Sequence, residues 1–241
     1  MQRFFSKYRL FTFTFILIHI TRLLFADNNH TPDVNAGIDF RTMHVWRGIA
    51  TSTVPTLEPS VTFTRNSYKM GIWAAQSIDG SYSEMDIYLN YKFRNFSFTI
   101  WDYYCPTSFS GNDEITDFNE HTTKHTIELD IAYHGSSQFP IQVLVATMVY
   151  GDDLNPEDQK NYYSTYLELG YKTRLHQTDI RLFIGINAFN GYYGNKFGVV
   201  NTGATATNYL KLPNGKNVPF EASLIANPMH RLYYLVLGFS L

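Results

Sequence analysis

The chain has 241 residues, 44% of them hydrophobic, yet its mean hydropathy is −0.21. After residue 26 it contains no apolar run of the roughly 20 residues that a membrane-spanning helix needs. Its formal net charge of −2 makes it a poor nucleic-acid binder, and its one cysteine, Cys105, rules out an internal disulfide.

The first 26 residues differ from the rest. Arg3, Lys7 and Arg9 precede the apolar run Leu10 to Ile18, no acidic residue occurs before Asp27, and Leu24-Phe25-Ala26 suits a cleavage tail. This layout predicts a secretory signal over residues 1–26. A retained anchor helix is the competing reading; His19 and Arg22 interrupt the apolar stretch and weaken both. Cleavage would remove four basic groups and leave 15 basic against 21 acidic residues over 27–241, a net charge of −6. No cysteine follows the signal to accept a lipid.

Beyond a polar lead of residues 27–33, a first strand is predicted over Asn35 to Gly48. Its alternation slips, because Ile38 and Phe40 share a parity with His44 and Trp46, while Val45 shares one with Asp39 and Arg41. A bulge near Thr42 would reconcile the halves. The second strand, Leu57 to Arg65, sets Leu57, Val61 and Phe63 against Glu58, Ser60 and Thr62. The third, Tyr68 to Gln76, sets Met70, Ile72 and Ala74 against Lys69, Gly71 and Trp73. In the fourth, Glu84 to Phe93, the residues Met85, Ile87, Leu89 and Tyr91 oppose Asp86, Tyr88, Asn90 and Lys92. The fifth follows at once with Phe96, Phe98 and Ile100.

Six more segments repeat this two-residue period: Lys124 to His134, Ile141 to Tyr150, Tyr163 to Lys172, Asp179 to Phe189, Phe197 to Leu210 and Val218 to Asn227. The last strand, Arg231 to Leu241, places Tyr233, Leu235, Leu237, Phe239 and Leu241 on one face. Twelve strands of about 9 to 11 residues fit a tilted barrel strand crossing a bilayer. Mostly short links after the even strands and longer ones after the odd strands fit periplasmic turns and external loops, with both termini periplasmic. The 18 Tyr and 19 Phe fit the aromatic rims of such a barrel.

A soluble sandwich would also alternate, with its apolar face inward. The polar face decides between them. It carries Glu58, Lys69, Asp86, Lys92, Glu128, Asp130, Glu168, Lys172, Arg181 and Glu221, too many charges for a dry core but suited to a wet lumen. The expected fold is therefore all-β, a transmembrane antiparallel up-and-down barrel of about twelve strands. Its pore lining is expected to be these ten residues with Trp73.

Several segments then resemble, in order, the TorF-type porin family: Val45-Trp46-Arg47-Gly48, Glu58-Pro59-Ser60, Gly71-Ile72-Trp73-Ala74, Glu84-Met85-Asp86-Ile87-Tyr88, and the run from Val199-Val200-Asn201 through Ala222-Ser223-Leu224-Ile225 to Asn227-Pro228. The resemblance covers most of the chain after residue 26. It implies an outer-membrane barrel of a Gram-negative bacterium with porin-like activity, and it brings no catalytic residues. The final Leu241 departs from the Phe or Trp that usually ends such barrels.

Trp46 and Arg47 are expected at the outer rim, either as a constriction or as a girdle ring with an Arg bonded to loop carbonyls. The inward charges would form either an electrostatic filter or pairs across the lumen. Asp113, Glu114, Asp117 and Glu120, with Asp152, Asp153, Glu157 and Asp158, would hold a divalent cation or form a solvated acidic surface; no calcium-loop spacing is present. No catalytic, cofactor-binding or metal-ligating residue is assigned and no cofactor is expected, since zinc spacings, phosphate loops and serine-nucleophile motifs are all missing. The expected partners are outer-membrane lipid and lipopolysaccharide, the barrel-assembly machinery and small hydrophilic solutes. A filled or surface-binding barrel without transport is the alternative, and an enzyme would need a Ser–His contact at a rim.

Overall fold

A computed structural model describes residues 31–107, 113–213 and 215–241. The expected signal, residues 1–26, lies outside the described residues. Among the described residues the regular elements are all strands: β1 (Asp33–Arg41), β2 (His44–Trp46), β3 (Ile49–Ser52), β4 (Thr56–Arg65), β5 (Tyr68–Ser77), β6 (Ser83–Phe93) and β7 (Phe96–Tyr104) in the first half. The second half holds β8 (His125–Tyr133), β9 (Ile141–Gly151), β10 (Thr165–Leu175), β11 (Thr178–Asn187), β12 (Gly198–Lys211), β13 (Asn217–Asn227) and β14 (Leu232–Ser240).

Twelve of these close into an antiparallel up-and-down barrel, while β2 and β3 form a separate two-stranded sheet. Closure is made by β1, which pairs with β4 on one side and β14 on the other; Phe40 lies opposite Phe239 in the β14 register. A closed sheet leaves no edge, so the backbone groups of every barrel strand find partners within the wall.

The alternation sorts side chains as a barrel requires. Ile87, Leu129 and Leu182 are 46%, 45% and 46% exposed on the exterior, while their neighbours Asp86 and Glu128 are 4% and 0% exposed. Water would be a poor solvent for so many exposed Leu, Ile, Val and Phe side chains, and hydrocarbon a good one. The molecule thus has the exterior of a transmembrane barrel. Near the short turns, cross-strand rings pair on the wall: Tyr68 with Tyr91 at 5.0 Å, Phe96 with Tyr133 at 5.2 Å and Phe40 with Phe239 at 5.3 Å. These are the amphipathic and aromatic groups expected where hydrocarbon meets headgroups.

The first predicted strand needs correction. It stops at Arg41, and residues 44–52 leave the wall as the hairpin β2–β3. Trp46 faces Ile49 across the two-residue turn Arg47-Gly48, whose φ angles are +49° and +83°. Positive φ at both central residues is the type I′ geometry that matches hairpin twist. The slip in parity at Thr42 therefore marks a chain leaving the sheet rather than a bulge within it. The barrel does not depend on this excursion, because β1 and β4 pair continuously from Asp33–Thr64 to Arg41–Thr56.

Candidate functional site

The lumen is where the barrel gathers its ionisable side chains. Two cavities lie within it, of about 1160 Å³ and 650 Å³. The larger borders Glu58, Glu168, Lys172, Arg181 and Glu221, the smaller Lys69, Asp86, Lys92 and Asp130, and Trp73 lines both. Glu128 borders neither and is fully buried behind the hairpin. Ten of the eleven predicted lining residues thus border the cavities, and Glu128 meets Arg47 of the hairpin instead.

His44, Trp46 and Arg47 line both cavities, so the hairpin stands between them. The sequence reading put Trp46 and Arg47 at the outer rim, as a constriction or as a girdle ring with the arginine bonded to loop carbonyls, and it is the girdle alternative that the structure replaces, because both residues stand inside the lumen. Arg47 instead reaches across the lumen and donates to both oxygens of Glu128, at 2.6 and 2.8 Å. It also bonds the hydroxyl of Tyr193, and its Nη2 lies 3.8 Å from Asp130. Its guanidinium sits 4.5 Å from the Trp46 ring centroid and 4.9 Å from that of Tyr166. A planar, delocalised cation suits this site better than an ammonium would, since it can bond a carboxylate through its edge and stack through its face.

The hairpin is fastened at its tip and at its base as well. Asn227 Nδ2 donates to the carbonyl of Gly48 at 3.0 Å, and a Cβ at Gly48 would come within 2.0 Å of the Val200 carbonyl oxygen. The second position of this turn therefore demands glycine for its φ and for its clearance. At the hairpin base, His44 Nδ1 lies 2.8 Å from Glu58, which also accepts from Thr56. A second inward segment, the β11–β12 connection, supplies Tyr193, fully buried and in ring contact with Trp46 at 5.6 Å.

The chain is similar to a porin. The solved structure in question is an engineered variant of the porin from Rhodobacter blastica, matched at 10% identity with a TM-score of 0.39. The match covers 77% of this chain and 54% of that one, so this chain spans about half the porin's length. No family model matches the sequence, and no curated protein does.

Several lumenal charges do pair. Arg41 bonds Glu221 at 2.5 Å and approaches Glu58 at 3.8 Å, and Arg181 bonds Glu168, which also accepts from Tyr166 at 2.5 Å. Among the described residues, Lys69, Lys92 and Lys172 form no ion pair. The arginines therefore brace the wall while the lysines stay available to solvent and solute. Four rings bear on whether the lumen is filled: Trp73, Tyr166 and Phe183 border the cavities, and Phe189 is 66% exposed beyond the end of β11.

The acidic loops are locally occupied. Asp117 accepts from Thr122 Oγ1 at 2.6 Å and from the Asn119 N–H, bonds that hold its carboxyl below the usual range. Asp113 accepts from the Thr107 N–H at 2.5 Å, and Asp153 from the N–H and hydroxyl of Ser164. Among the described residues no three His, Cys, Asp or Glu side chains are grouped to hold a metal. Cys105 makes its contact to Glu84, at 3.3 Å, and burial and then the negative charge of that carboxylate hold the thiol in its unreactive protonated form.

One contact that bears on catalysis is present. Ser97 Oγ lies 2.8 Å from His134 Nε2 near the short-turn mouth. The pair is short of a triad, because no carboxylate orients the other ring nitrogen among the described residues. Burial, then the charges of Lys92 and Lys172, push the His134 pKa below its ordinary value.

Proposed function

We propose that this protein is a porin-like channel of the Gram-negative outer membrane through which small hydrophilic solutes diffuse passively. In this reading the hairpin β2–β3 is its constriction, and both termini are periplasmic after removal of the signal over residues 1–26. The observation that carries it is the pairing of an apolar exterior with cavities of about 1160 and 650 Å³ lined by ionised side chains, a lining that water can occupy and hydrocarbon cannot. The resemblance of its segments to TorF-type porins fits the same reading. Lipid and lipopolysaccharide would cover the wall, and the barrel-assembly machinery would insert it.

Planar-bilayer recording of the purified protein tests this. Discrete conductance steps in KCl are expected; bilayers that stay silent at every voltage would remove the reading. A second reading, a closed barrel that binds at its surface without transport, is favoured by the full ligation of Arg47 by Glu128 and Tyr193. It predicts silence in the native protein and conductance once Arg47 is replaced.

A further inference from the structure

The smaller cavity has two chemically opposite ends. Glu84, Asp86 and Asp130 lie towards the hairpin, and Lys69 and Lys92 towards the short turns. Among the described residues, Arg47 is bonded to Glu128 and lies 3.8 Å from Asp130, while Glu84 and Asp86 form no ion pair. Asp86 is 4% exposed, and its Oδ1 has no hydrogen-bond partner. A buried carboxyl oxygen without a donor is costly, and since Asp86 borders the cavity, a turn of its side chain towards a donor bound there would remove that cost.

The wall between the ends is aromatic. Tyr88 and Trp101 rings lie 4.6 Å apart, and Trp101 stacks on Tyr103 at 5.6 Å. Lys69 Nζ already lies 5.9 Å from the Tyr88 ring, so this surface accepts an ammonium group. Trp73 faces Asp86 in the register and Lys69 faces Asn90, which separates the acidic and basic positions by four residues, or about 13 Å of strand. An extended tripeptide, at about 3.5 Å per residue and with a hydrogen bond of about 3 Å at each end, covers that gap. A single amino acid would reach one end only.

We infer that this cavity is a binding site for short zwitterionic peptides, with the ammonium group held by Asp86 against the aromatic wall and the carboxylate met by Lys69 and Lys92. The inference rests on the channel reading in that it names the solute class the wet lumen takes.

The test is titration of the detergent-purified protein with trialanine, following the fluorescence of Trp73 and Trp101, beside N-acetyltrialanine, trialanine amide, KCl and CaCl2. Saturable binding of trialanine is expected, weakened at least tenfold by capping either end. Asp86→Asn should erase the preference for a free amino group, and Lys69→Met the preference for a free carboxylate; circular dichroism checks that each variant folds, and either one alone suffices. Equal binding of capped and free peptides, no saturable signal, or the same response to KCl or CaCl2 at matched concentration would overturn the site. Bilayer recording separates the two ideas. Conductance without trialanine binding removes the site and leaves the channel, whereas binding without conductance keeps the site and removes the channel.

Discussion

Arg47 carries two costs that only its bonds offset. It holds φ at +49°, a region that costs a non-glycine residue on the order of 1 kcal/mol, and its guanidinium is only 9% exposed. Removing one partner of a buried pair leaves the other charge uncompensated, typically at 3 to 5 kcal/mol. Arg47→Gln is therefore expected to lower stability by about 3 kcal/mol, read from urea unfolding in micelles, and to raise unitary conductance. Arg47→Gly, Glu128→Gln separates the causes: it relieves the turn and neutralises the stranded acid together, so it should regain stability while keeping the raised conductance. His134 gives a pH signature. Its pKa is depressed in the folded state, so as pH falls the unfolded chain binds the proton first. Its share of stability is whole above about pH 6.5 and declines as the pH drops towards the folded value. Unfolding midpoints at pH 7.5 and 5.5 should fall further in the native protein than in His134→Gln.

Among the elements, the hairpin is the one that the wall can spare. Since β1 and β4 pair without it, joining Arg41 to Thr56 through a short glycine-serine link should leave the barrel folded. The excised protein is expected to show larger conductance steps and an unchanged strand signal in circular dichroism; loss of the strand signal would mean that the hairpin is part of the wall's stability. Most barrel strands were legible because apolar residues recur along them at every second position, as from Met85 to Phe93. The hairpin was not. Its three- and four-residue strands are too short to set a period, and the slip at Thr42 looks the same whether a chain bulges or departs. The signal that could have revealed it is Gly48, a turn-forming residue flanked by Val45-Trp46 and Ile49-Ala50. The lumenal face followed from alternation, but which charges meet across it did not, because Arg47 and Glu128 are 81 residues apart and nothing local couples them.

At the scale of the whole molecule, the lumen is polarised along its axis. Glu84, Asp86 and Glu128 lie in the halves of their strands nearer the long loops, while Lys69, Lys92 and Lys172 lie in the halves nearer the short turns. Such an arrangement attracts cations at one mouth and anions at the other. Current through a single orientation of the barrel should rectify in 0.1 M KCl, where the screening length is about 10 Å, and lose most of its asymmetry in 1 M KCl, where it is about 3 Å. Replacing the three lysines with methionine should abolish the rectification at low salt. The anchoring of the hairpin has a temporal side as well. Arg47 and Gly48 precede their partners Glu128, Tyr193 and Asn227 by 81, 146 and 179 residues, so the grip on the tip is complete only when the C-terminal third has been added to the ring. Docking it must be among the last steps of assembly, and a barrel caught before that step would stand unobstructed in the bilayer.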